Sequence, residues 1–170
     1  FSAGGTYLIA TCEFSSELIK VDVATRRVVG TLKLEHGMPQ DIKLSPDGKV
    51  FYVADMHANG VHLLDGEAFK VIGFIPTGKH AHGLYVSRDS RYLYCSNRGE
   101  GSVSVIDLTT RQVAKKWQIP GRASPDMGGV SADGKVLWLA GRYHHEVYAI
   151  DTGDGKLIAR IKVGKGPHGL

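Results

Sequence analysis

The 170-residue sequence has only two cysteines, Cys12 and Cys95, which form neither a C-x-x-C pair nor the dense framework of a small disulfide-stapled domain. Both are expected to pack as small apolar groups. The longest uninterrupted apolar stretches are four or five residues, far short of the roughly 20 needed to cross a bilayer as a helix. No segment sustains a 3.6-residue period, and no GxSxG, HExxH, EF-hand loop or paired-cysteine zinc motif occurs. The strings GEG at 99–101, GDG at 153–155 and GKG at 164–166 precede no helical pattern, so they read as turns and not as phosphate loops. The chain opens on Phe1 without a basic or apolar leader pattern, so the compartment is not read from its start. A formal net charge of +4 favours an anionic partner without making nucleic acid the default.

What the sequence does contain is a repeat. The segments FSAGGTYLIATCEF, SPDGKVFYVADMHANG, SRDSRYLYCSNRGEG and SADGKVLWLAGRYHH carry a Ser at 2, 45, 87 and 131, spaced 43, 42 and 44 residues apart. An Asp that closes an apolar run, in LIKVD, VHLLD, VSVID and VYAID, falls at 22, 65, 107 and 151 with the same spacings. Two independent anchors therefore define four units of about 43 residues, at approximately 1–42, 43–84, 85–128 and 129–170.

Each unit divides into runs rich in Val, Ile, Leu, Tyr and Trp separated by turn chemistry, which predicts four short antiparallel strands. SPDG, SRDS and SADG join the first strand to the second, expected at Tyr7–Thr11, Val50–Ala54, Tyr92–Ser96 and Val136–Ala140. The third strand ends at the repeated Asp. The fourth runs, VVGTLKL, VIGFIP, VAKKWQIP and LIARIKVG, mix in basic residues as an exposed edge strand should. Four-stranded units of this length are the arithmetic of propeller blades, so the fold class is all-β and the architecture a β-propeller with four blades. Phe1 and Ser2 fall at the hairpin after an absent first strand, and GPHGL reads as the opening of a fifth unit.

SPDGKVFYVAD with GVHLLD, and SRDSRYLYCSN with GSVSVIDLTTRQV, resemble the YVTN-type β-propeller repeat over the whole chain. That family includes YncE-like, surface-layer-like, lactonase-like and lyase-like members, as well as cofactor-associated and scaffolding ones. The resemblance implies a seven-bladed ring of which these four blades are part, and an extracytoplasmic location. A four-bladed closed ring, or a dimer of true half-rings, are the alternatives.

The loop from a blade's outer strand to the next inner strand opens on the same face as the loop between strands two and three. Seven of the eight histidines map to that face: His36, His80, His82 and His168 in interblade loops, and His57, His144 and His145 in the other loops. GMPQDI, GKHAHGL, RASPDMGGV and GKGPHGL place Gln40, His82, Asp126 and His168 at equivalent positions where inner strands converge on the channel. Such a set can hold a metal, polarise a carbonyl or act as acid and base, with His82 and His168 the candidate metal ligands. The alternative is that the groups bind water and neighbouring backbone. Lys79, Arg122 and Lys165 in interblade loops, with Arg98 and Arg142 after the second strand, are expected to rim the same face and favour carboxylate or phosphate. Glu100 and Glu146 are expected to balance them in part.

The reading that asks least of these residues is a binding or scaffold propeller that takes a small anionic molecule or protein partner at this face, without catalysis. A lactonase-like or lyase-like enzyme acting on an anionic small molecule is the alternative, short of carboxylates because only Asp126 and Asp41 are near the mouth. A propeller associated with a divalent metal or haem is a third reading, and nucleic-acid binding has little but net charge in its favour.

Overall fold

The two sequence anchors fold as side-chain-stapled turns. Ser45 Oγ accepts the Val50 N–H at 3.0 Å and donates to Asp47 Oδ1 at 2.5 Å, while Gly48 takes φ +72°. Ser87 and Ser131 repeat the arrangement with Asp89 and Asp133, each at 2.6 Å. At the second anchor, Asp65 Oδ1 accepts the N–H groups of Glu67 and Ala68, and Asp107 Oδ1 those of Thr109 and Thr110. These contacts offer the backbone a turn in place of a longer strand.

The hydrogen bonds leave Asp47, Asp89 and Asp133 below the ordinary carboxylate value of 3.8, chiefly through the partner serine. A carboxyl whose folded pKa is lowered adds stability above its unfolded pKa and loses it as pH falls through the folded value. Stability is therefore expected to fall as pH drops below 3.8. Urea melts between about pH 5 and about pH 2 should show this slope, and the triple Asp47→Asn, Asp89→Asn, Asp133→Asn variant should flatten it. An unchanged slope in the triple variant would contradict the assignment.

In the computed structural model, which describes residues 1–170, fifteen strands and no helix form four antiparallel sheets. The first blade holds β1 (Tyr7–Cys12), β2 (Glu17–Asp22) and β3 (Arg27–Lys33). The second holds β4 (Pro39–Leu44), β5 (Val50–Asp55), β6 (Gly60–Asp65) and β7 (Lys70–Pro76). The third holds β8 (Ala81–Val86), β9 (Tyr92–Asn97), β10 (Ser102–Asp107) and β11 (Gln112–Gln118). The fourth holds β12 (Pro125–Val130), β13 (Val136–Gly141), β14 (Glu146–Asp151) and β15 (Leu157–Lys162). Every sheet is ordered as a simple meander, and the first lacks an inner strand as its sequence predicts. The GPHGL segment forms no strand, although the His168 carbonyl accepts the Met127 N–H at 3.1 Å. The second strands run one residue past expectation, to Cys12, Asp55, Asn97 and Gly141. In the third blade the reason is visible: buried Asn97 donates to the Ser102 and Ser104 hydroxyls on β10.

Strand periodicity sends alternate side chains to opposite faces of each blade, and three interblade cores result. Tyr7, Ile9 and Leu18 meet Phe51, Val53 and Leu64 between the first two blades. Tyr52, Val61 and Leu63 of the second meet Leu84, Leu93 and Cys95 of the third, while Tyr94, Val105 and Trp117 of the third meet Leu137, Leu139 and Tyr148 of the fourth. Both cysteines are free, and burial pushes the Cys95 thiol up to about 12, so it packs as an inert apolar group. The outer strands β3, β7, β11 and β15 stay largely exposed, as their lysines and arginines foretell.

Candidate ligand site at the channel mouth

The inner strands share a distortion that positions the site. Pairing steps from Pro39↔Asp55 to Ile42↔Val53, from Ala81↔Asn97 to Leu84↔Cys95, and from Pro125↔Gly141 to Gly128↔Leu139. Each step is a β-bulge, so Gln40–Asp41, His82–Gly83 and Asp126–Met127 each stand opposite one partner residue. A bulge releases side chains from the ladder's alternation and re-aims them. Here it turns His82 and Asp126 toward each other from adjacent blades.

Asp126 is the hub. Its carboxylate is fully buried, with Oδ1 at 2.9 Å from His82 Nδ1 and 3.9 Å from His168 Nε2. Its Oδ2 lies 3.2 Å from Arg98 Nη1 and 3.9 Å from Arg142 Nε. The two oxygens thus divide the work, one facing imidazoles and the other guanidiniums. The His82 and His168 rings meet edge to face with centroids 5.9 Å apart. Arg98, buried despite its charge, lies under the Tyr143 ring at 5.4 Å and beside Met56 Sδ. The backbone is fixed as well: Ser96 donates to the Asp126 carbonyl at 2.9 Å, and the Gly128 N–H donates to Tyr85 Oη at 2.7 Å.

Burial alone would raise the Asp126 carboxyl, but the His82 imidazole and the Arg98 guanidinium outweigh it and hold the group below its ordinary value. It is ionised at neutral pH. His82 Nδ1, Asp126 Oδ1 and Arg98 Nε are nonetheless buried without a hydrogen-bond partner, because the short His82–Asp126 approach is out of line. An unpartnered buried polar atom costs about 1–3 kcal/mol. Three such atoms gather around the Asp126 carboxylate.

Of the residues singled out in the sequence, the structure brings together His82, Asp126, His168, Arg98 and Arg142. It leaves Gln40 out, because that amide donates to its own loop at the Met38 carbonyl, 3.0 Å away. Lys79, Arg122 and Lys165 are exposed and form no ion pair, so they stand outside the cluster as solvated loop charges. Glu100 and Glu146 do not balance the loop cations: they pair with outer-strand Lys116 at 2.9 Å and Arg160 at 2.6 Å. Asp41 joins blades, its Oδ2 accepting the Leu84 N–H at 2.9 Å.

The histidine enrichment of this face has a partly conformational cause. His36, His80 and His145 hold φ of 57°, 57° and 58°, a left-handed backbone in which histidine is over-represented. His144 and His145 face different partners, Ser124 Oγ at 2.9 Å and the Gly166 N–H at 3.2 Å. Trp117 is core, whereas Trp138 is half-buried on the outer face of the fourth blade beside Val130 and Val147. Phe14 is 88% exposed, whereas Tyr143 lies over the Arg98 guanidinium. Sequence reasoning missed Met56 and Ser96, whose residue types announce nothing without the pairing register.

Four antiparallel meanders packed face to face, with the inner strands of the last three converging on a polar cluster, define a β-propeller. The family model described as "YNCE-like beta-propeller" matches residues 2–170, and the chain belongs to that family. It is 28% identical over 158 residues to Antigen Lp49 of Leptospira interrogans, covering 79% of this chain and 34% of that protein. It is 32% identical over 108 residues to a 6-phosphogluconolactonase of Sodalis glossinidius, covering 56% of this chain and 30% of that protein. The solved virginiamycin B lyase of Staphylococcus aureus superposes with a TM-score of 0.82 at 15% identity, covering 99% of this chain and 56% of that one, and shares the fold. The chain spans about a third of the length of the curated relatives it matches.

Proposed function

We propose that the protein is a non-catalytic binding propeller that takes a small anionic molecule, a carboxylate or phosphate, at the Asp126 cluster. The observation that carries this reading is the charge count at one point: the guanidiniums of Arg98 and Arg142 face a single carboxylate, and buried Arg98 Nε has no partner. A desolvated guanidinium with a free N–H is a strong anion donor. Completion of the ring by further blades belongs to the same reading, supported by the fraction of its relatives that the chain spans, and so does an extracytoplasmic location, supported by the YncE-like family alone. No helix is long and apolar enough to cross a membrane.

A titration calorimeter tests the proposal with inorganic phosphate and 6-phosphogluconate as probes. Binding is expected to weaken with salt, and Arg142→Ala, a half-exposed position, should weaken it about tenfold or more. Equal affinity in the variant would overturn the reading. A second reading, a lactonase-like enzyme, is favoured by the His82–Asp126 approach, which pairs a possible base with an orienting carboxylate. Turnover of 6-phosphogluconolactone that is lost in His82→Ala would replace the first reading with the second.

A further inference from the structure

From the same cluster we infer that His82, Asp126 and His168 form a site for a divalent first-row transition metal ion such as Zn²⁺ or Co²⁺. The inference goes beyond anion binding and does not depend on it. One ligand atom from each of the three residues lies within 4.8 Å of the other two. Metal–ligand bonds of about 2.0–2.2 Å in a tetrahedral site put donor atoms roughly 3.4 Å apart. The observed separations from Asp126 Oδ1, 2.9 Å to His82 and 3.9 Å to His168, bracket that value.

The environment prepares the carboxylate for one-oxygen ligation. Arg98 and Arg142 occupy the Oδ2 side, which leaves Oδ1 facing the imidazoles, and such outer partners orient ligating groups in metal sites generally. The two atoms that would bind first, His82 Nδ1 and Asp126 Oδ1, are two of the three buried side-chain atoms without hydrogen bonds, Arg98 Nε being the third. His168 arrives from the exposed segment after β15, held near by its backbone bond to Met127. Two imidazoles and a carboxylate suit zinc, cobalt, nickel or ferrous iron better than calcium or magnesium. Three protein ligands leave a coordination position open toward the channel. The guanidiniums oppose a cation, so their removal should tighten binding.

Co²⁺ titration of the purified protein, followed by visible absorption and calorimetry, is the test. One equivalent is expected to bind with a ligand-field spectrum. Affinity should fall at least about tenfold in His168→Ala and in His82→Ala. His168 is more than half exposed, so its replacement leaves the fold intact and keeps the test decisive if the buried variant fails to fold. Arg142→Ala should bind Co²⁺ more tightly while it binds phosphate more weakly, which separates the two proposals. Absent binding, or affinity unchanged in His168→Ala, overturns the metal site and leaves the phosphate result standing by itself.

Discussion

Asp126→Ala is expected to destabilise the protein by about 3–5 kcal/mol and to abolish Co²⁺ uptake at the channel mouth. Removing one partner from a buried ion pair leaves the other charge in low dielectric without compensation, which is the source of that magnitude. Here the stranded group is Arg98, only 9% exposed, and His82 is 3% exposed. A domain is stable by only about 5–15 kcal/mol, so the loss is a large part of the whole. Asp126→Asn keeps the shape and one acceptor oxygen, and should lose Co²⁺ binding with a smaller cost in stability, while phosphate, freed of the competing carboxylate at Arg98 and Arg142, binds no more weakly. Urea denaturation of the three proteins measures the order. A change within about 0.5 kcal/mol for the alanine variant, the range of an ordinary surface substitution, would show that Asp126 is not the hub.

Gly128→Ala should be nearly as damaging, by a different route. The glycine lies on β12 where the bulge closes, and a Cβ there would fall inside the Trp138 carbonyl oxygen and within 2.9 Å of Leu139 Cα. Both obstacles are backbone and cannot turn aside. The cost is expected at the upper end of overpacking, about 3 kcal/mol. Because the same bulge aims Asp126, affinity at the cluster should fall with stability. Gly129→Ala next to it, where a Cβ meets nothing within 4 Å, is the control and should bind ligand normally. A Gly128→Ala protein that melts like wild type would mean that the β12–β13 register tolerates slippage and does not fix the site.

The blades were legible because their chemistry is local. A serine two residues before an aspartate, with a glycine next, makes its staple within six residues, and the Asp65 and Asp107 turns close within three. His82 and Asp126 were legible by register, since each lies five residues before the repeated serine. Register also nominated Gln40, whose side-chain amide donates to the Met38 carbonyl and does not join the Asp126 cluster. The bulges that aim the cluster were hidden, being set by pairing between strands and by no residue type. Burial separated Arg98 from the rest of the expected rim: it reaches Asp126 across a blade boundary, whereas Lys79, Arg122 and Lys165 stay in solvent. Three of the seven loop histidines proved to serve the backbone's left-handed turns.

The central claim is that the Asp126 cluster, and no other concavity, is where the protein binds. A crystal structure of the protein grown with 6-phosphogluconate tests it most directly. The account predicts ligand density against Arg98, Arg142 and His168 at the mouth of the inner strands. Density instead in the opposite-face cleft lined by Tyr52, Leu108 and Arg111, with the cluster holding only water, would contradict it.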